Sequence, residues 1–201
     1  MSIPTADLSS YQYAPVMNYP APGELKVFDF TKGYDPDYIQ SFEWGIGKYN
    51  EHRAEMYKTE LFGGERNIHV GIDIWTKASR PVFSFYDGKV VYKQNNEQPG
   101  DYGPTLVLCY EMEFITLYAL YGHLSKMTLE NIQVGDKVNM GQQIGTLGTE
   151  EENGGWVPHL HFQLSVEDPG QADMPGVVAK NEIKEAIQTY PDPRKVLGPL
   201  Y

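Results

Sequence analysis

Ile68-His69-Val70-Gly71-Ile72-Asp73-Ile74-Trp75 alternates apolar residues with polar, small or aromatic ones, the pattern of a strand with two unlike faces. His69, Gly71 and Asp73 share one face, and Ile68, Val70, Ile72 and Ile74 the other. A fully extended strand would hold His69 and Asp73 roughly 13 Å apart, too far to share an ion whose ligand bonds are about 2 Å. The chain must therefore bend if both bind one ion, and Gly71, midway between them, is the residue that permits it.

Pro158-His159-Leu160-His161-Phe162 repeats the alternation further on. Two histidines two apart lie on one face of a strand, while Leu160 and Phe162 point to the core. One imidazole can bind a metal while the other reaches a metal-bound water; the spacing leaves open which does which. With His69 and Asp73 this makes a His₂Asp set suited to a single Zn²⁺, three protein ligands with the fourth position open as in catalytic zinc sites. No Cys₄ or Cys₂His₂ pattern accompanies it. Of the five histidines, His123 also falls within the strand-rich region and His52 does not. Spare histidines beside such an ion suit general acid–base work or oxyanion stabilisation.

Strand signals continue between these two stretches. Val82 to Phe85 and Val90 to Tyr92 flank the turn Asp87-Gly88; Thr105 to Tyr110 and Phe114 to Tyr121 follow, with turn signals at Pro99-Gly100, Gly135-Asp136, Gly141 and Gly154-Gly155. Short strands with frequent turns predict a mostly β protein, an antiparallel sandwich or barrel-like sheet. Asp35-Pro36 opens a short helix placing Ile39, Phe42 and Ile46 on one face, and Lys180 to Tyr190 forms a second helix ended by Pro191-Asp192-Pro193. The opening is rich in Tyr and Pro and reads as an extended arm. Its end at Leu61-Phe62-Gly63-Gly64 lies five residues before His69, so part of residues 1–60 is expected over or beside the metal cleft. The chain divides into an N-terminal extension (1–61), a β domain (62–168) and a tail with a short helix (169–201).

The 201 residues carry a formal charge of −11, with 41% hydrophobic and 21% charged residues, a globular composition. The acidic balance argues against nucleic acid, whose binding rests on Lys and Arg, and against anionic membrane surfaces. The single cysteine, Cys109, excludes an internal disulfide and sits in an apolar run as a buried small hydrophobe. With Met1 as the native start, the absence of a basic and apolar leader predicts a cytoplasmic protein; a trimmed periplasmic or extracellular protein would read the same.

The ordered set His69-Val70-Gly71-Ile72-Asp73-Ile74, Pro81-Val82, Asp87-Gly88-Lys89-Val90, Tyr121-Gly122-His123-Leu124, Gly135-Asp136-Lys137-Val138, Gly141-Gln142-Gln143-Ile144-Gly145 and Pro158-His159-Leu160-His161-Phe162 resembles the lysostaphin/LytM-type zinc endopeptidases, which cut peptide cross-links of peptidoglycan. The resemblance implies the duplicated hybrid motif as fold, one zinc held by His69, Asp73 and His161, and catalytic assistance from His123 and His159. It implies a peptide or small amide as substrate. Asn153-Gly154-Gly155-Trp156, Met174-Pro175-Gly176-Val177 and Pro191-Asp192-Pro193 are similar to a version in bacterial cytoplasmic fusion proteins, where this domain lies between a kinase and an aminotransferase. That similarity points away from cell wall as the substrate. Two rival expectations are a metal-binding regulatory module without turnover and a phosphocarrier using the paired histidines; the carboxylate Asp73 argues against the second.

Overall fold

The computed structural model describes residues 8–56 and 65–201; the Leu61–Gly64 segment falls outside them. Its frame is an eight-stranded sheet. From one edge it runs β1 (Lys26–Val27), β2 (Gly45–Gly47), β5 (Ile72–Trp75), β12 (His159–Ser165), β9 (Thr116–Gly122), β8 (Gly103–Glu111), β7 (Gly88–Asn96) and β10 (Lys137–Val138). β1 and β2 are parallel and every other pair is antiparallel. A three-stranded sheet joins β13 (Val177–Ala179), β4 (Arg66–His69) and β3 (Glu51–His52), and a two-stranded one pairs β11 (Gln143–Thr146) with β6 (Pro81–Phe83). The architecture is mostly β and antiparallel, as the alternation predicts; the sheets do not close into a barrel.

Alternation sets the core. Leu160, Phe162 and Leu164 of β12, Leu106, Leu108 and Tyr110 of β8, and Leu117, Ala119 and Tyr121 of β9 point to one face and are fully buried together. Cys109, between Leu108 and Tyr110, therefore faces the other way and is only partly buried, which corrects its reading as a buried hydrophobe. The opposite face carries His159, His161 and Gln163. Residues 172–179 cover part of that side, with Ala172 and Met174 packed on Tyr102, Val107 and Leu120.

The ends of the chain are less separate than their composition suggests. Val16 and Met17 are fully buried in the main core, the Phe83 amide donates to the Val16 carbonyl at 2.8 Å, and Tyr13 meets Phe85 edge-on. The Tyr/Pro-rich segment thus gains structure by bonding to backbone already ordered in the domain. The first helix, α1 (Pro36–Gln40), starts where Asp35 accepts from the Tyr38 amide at 3.0 Å. It ends before Ile46, which lies in β2, so the expected shared face with Ile46 does not form. Helix α2 (Lys126–Asn131), capped by Ser125, was not expected. In the tail, α3 (Ile183–Thr189) matches the expected helix, and α4 (Arg194–Leu197) begins after the proline pair expected to end it.

Candidate metal centre

His69 ends β4 and Asp73 lies in β5, and the two strands belong to different sheets. The break falls at Val70-Gly71, where the sequence required a bend. A Cβ at Gly71 would lie 2.5 Å from His161 Cε1 and 2.6 Å from its Nε2, so a glycine is needed there for the backbone to pass the imidazole. Antiparallel pairing sets His161 opposite both Asp73 on β5 and Gly122 on β9. Three ligand atoms converge as a result. His69 Nε2 lies 3.2 Å from Asp73 Oδ1 and 3.2 Å from His161 Nδ1, which lies 3.0 Å from Asp73 Oδ1. The edges of a tetrahedron with bonds of about 2.0 Å measure roughly 3.3 Å, and these three buried side chains could hold a metal ion.

The proton positions make the fit specific. His69 Nδ1 must donate to the Lys48 carbonyl at 2.9 Å, leaving Nε2 bare. Gln163 donates its amide N–H to the Pro175 carbonyl and turns Oε1 to His161 Nε2 at 3.0 Å, so Nε2 carries the proton and Nδ1 is bare. Two nitrogen lone pairs and a carboxylate oxygen thus face one point with no proton among them, an arrangement that repels itself without a cation. Burial, with the Arg53 charge next, pushes His69 down to about 4. Burial opposes ionisation of Asp73, but His69 and Arg53 outweigh it and hold that carboxyl well below the usual range.

His123 and His159 line the same cleft, with ring centroids 4.1 Å apart. Each donates Nδ1–H to a backbone carbonyl at 2.8 Å, His123 to Asn153 and His159 to Val157, so each keeps Nε2 as its basic nitrogen. His159 Nε2 lies 4.0 Å from Asp73 Oδ1, and Trp75 stacks on the ring at 3.9 Å. Burial pushes His159 down to about 4 and His123 well below the ordinary imidazole range. The cleft holds about 290 Å³ and is walled by Met56, Tyr102, Trp156, Met174 and Pro175. The structure brings together all five residues singled out in the sequence, and His52 stays exposed on β3 away from them.

Met56 alone of the described first 60 residues lines the cleft, and residues 8–30 do not reach it. The extension is therefore beside the cleft: Tyr11 and Tyr13 pack away from it around Phe85 and Tyr86, whereas Tyr34 packs on Trp75 and on Trp156 of the cleft wall and accepts from the Val157 amide at 3.1 Å. Sequence reasoning missed Gln163, although its place two residues after His161 on the same face was visible. It missed Arg53, Glu51 and Lys48 as well, and nothing in their local pattern marks them.

The profile of Peptidase family M23 matches residues 67–173, just over half of the chain. The peptidoglycan DD-endopeptidase ShyB of Vibrio cholerae is 33% identical over 77% of this chain and 37% of its own length. The glycyl-glycine endopeptidase ALE-1 of Staphylococcus capitis is 35% identical over 53% of this chain and 26% of its own. Among solved structures, the catalytic domain of lysostaphin from Staphylococcus simulans is 25% identical, with 76% of this chain and 98% of that one covered and a TM-score of 0.46. The chain spans about a third of the length of ShyB and a quarter of ALE-1.

Proposed function

The chain belongs to peptidase family M23, and on that premise we propose that it is a zinc-dependent peptidase hydrolysing an amide bond in a peptide or small amide. The observation that supports this most is the convergence of three bare donor atoms, from His69, Asp73 and His161, beside two further imidazoles with free basic nitrogens. Zinc held there supplies Lewis acidity, which polarises a carbonyl and makes water a nucleophile near neutral pH.

The protein's own groups supply the rest. Gln163 and the Lys48 carbonyl fix the two ligand imidazoles in their tautomers. His159 Nε2, 4.0 Å from Asp73 Oδ1, takes a proton from the attacking water and returns it to the leaving amine. His123, its Nδ1–H held by the Asn153 carbonyl, stabilises the developing oxyanion only once its Nε2 has taken up a proton, and the two roles are exchangeable between the neighbouring rings. Both imidazoles are neutral at pH 7 because burial depresses them, the state a proton acceptor needs. Met56, Trp156 and Met174 give the reacting bond an apolar wall in a cleft that Arg66, Asp101 and Asp173 also line.

Relatives named as endopeptidases of peptidoglycan and of glycyl-glycine bonds support short peptides as the first substrates to offer. The resemblance of Asn153–Trp156 to cytoplasmic fusion proteins supports a substrate other than cell wall and a cytoplasmic setting. The test is hydrolysis of glycine-rich peptides, D-amino-acid muropeptides and small amides, with and without a chelator. Chelator-sensitive cleavage of one class is the expected result. Zinc bound at one per chain with no cleavage of any class would instead favour a metal-binding module.

A further inference from the structure

We propose that Arg53 is a positioning residue of the metal centre, and that residues 48–53, outside the region the family profile covers, clamp two of its three ligands. The proposal rests on the zinc reading above. Asp73 offers Oδ1 to the convergence point, while its other oxygen, Oδ2, accepts from Arg53 Nη1 at 2.6 Å. Arg53 is fully buried. Its Nε donates to Glu51 Oε2 at 3.0 Å and its Nη2 to the Lys48 carbonyl at 3.3 Å, the carbonyl that also receives His69 Nδ1–H. One short segment therefore holds His69 by its backbone and Asp73 by a side chain.

The surroundings leave the guanidinium no other place. Its carbon lies 4.7 Å over the Phe30 ring, and the Arg53 amide donates to the Asn67 carbonyl at 2.7 Å. Gly47 pairs with Asp73 across β2 and β5. A Cβ there would meet Arg53 Nη2 at 2.7 Å and Asp73 Oδ2 at 2.9 Å, so the backbone closes directly over the ion pair. Glu51, itself buried and 3.0 Å from Lys48 Nζ, balances the charge that Arg53 brings inside. A carboxylate free to swivel would present either oxygen to the ion; this one presents Oδ1 alone.

The sign of the effect separates positioning from plain electrostatics. Removing a positive charge beside a dication site strengthens binding by Coulomb's law. Losing the group that orients a ligand weakens it, by about 10- to 100-fold for outer-shell partners. Zinc affinity is measured by competition with a chelator of known affinity on metal-stripped wild type, Arg53→Gln and Arg53→Lys, with the fold checked by circular dichroism. Arg53→Gln is expected to bind zinc about 10- to 100-fold more weakly. Arg53→Lys keeps the charge but cannot bond to Glu51, Lys48 and Asp73 at once, and falls between it and wild type. Equal or tighter binding by the variants overturns the proposal, as does a lowered melting temperature with zinc affinity unchanged. If Arg53→Gln does not fold, Arg53→Lys decides alone. A wild type that binds no zinc removes the metal reading and this proposal together, whereas equal binding by wild type and variants removes the proposal only.

Discussion

His123 sits at φ 61°, a left-handed conformation rare for a residue with a Cβ. Three bonds hold it there: its amide donates to the Tyr102 carbonyl, its carbonyl accepts from Gly148, and Nδ1–H reaches Asn153. Strain held by so many partners is characteristic of functional positions. His123→Asn tolerates the backbone but lacks the basic nitrogen, and His159→Ala removes the other free Nε2. Both are expected to keep one zinc and lose about 10² to 10⁴ in rate on a verified substrate; near-wild-type turnover in both would refute the proposed roles. His161→Ala and Asp73→Ala should lose the metal, and full zinc content in either by metal analysis would sink the ligand assignment. Gly71→Ala should also weaken zinc binding, because its Cβ would collide with the His161 ring. Unaltered affinity would mean that the imidazole can move without cost.

The decisive element is β12. Its residues alternate between the core, through Leu160, Phe162 and Leu164, and the opposite face, through His159, His161 and Gln163, of which the two histidines line the cleft. It lies between β5 and β9, so the hydrogen bonds on both its edges set the register that puts His161 opposite Asp73. A slip of one residue would turn the histidines into the core. Phe162 meets Phe85 and Tyr121 edge-on and is fully buried. Phe162→Ala is expected to cost about 3–5 kcal/mol of stability in urea unfolding of the metal-stripped protein. A loss below about 1 kcal/mol would show that the strand is held by its edges rather than by its core face.

At the scale of the whole molecule, metal and protons act on stability through linkage. His69 and His159 are both depressed to about 4 by burial, against about 6.5 in the unfolded chain. Between these values the unfolded chain binds protons that the folded one does not, so stability falls as pH drops. The melting temperature of the metal-stripped protein is expected to decline steadily from pH 7 to pH 4, and a flat profile over that window would contradict the burial of neutral imidazoles. Zinc held by His69, Asp73 and His161 would bind the folded state alone, so its addition at pH 7 should raise the melting temperature in proportion to the logarithm of its concentration above Kd.

Alternation at period two was legible in the chain, and with it the strands, the core faces of β8, β9 and β12, and the shared face of His159 and His161. The need for a bend at Gly71 followed from strand geometry, and His69, Asp73 and His161 stood out as candidate ligands through the resemblance of the ordered motifs that carry them. The partners of the ligands were not legible. Arg53 stands 20 residues from Asp73 and Lys48 stands 21 from His69, each just after a short strand whose sequence carries no periodic signal. Their contacts arise only when β2 and β3 dock on β5 and β4. The path of the Tyr/Pro segment was decided in the same way, because its hydrogen bonds go to Phe83 and Phe85, across the fold. Local pattern specifies which face a side chain takes, since that depends on the backbone period alone. Which distant backbone it meets depends on how separate sheets pack, and that is settled by burial summed over the whole core.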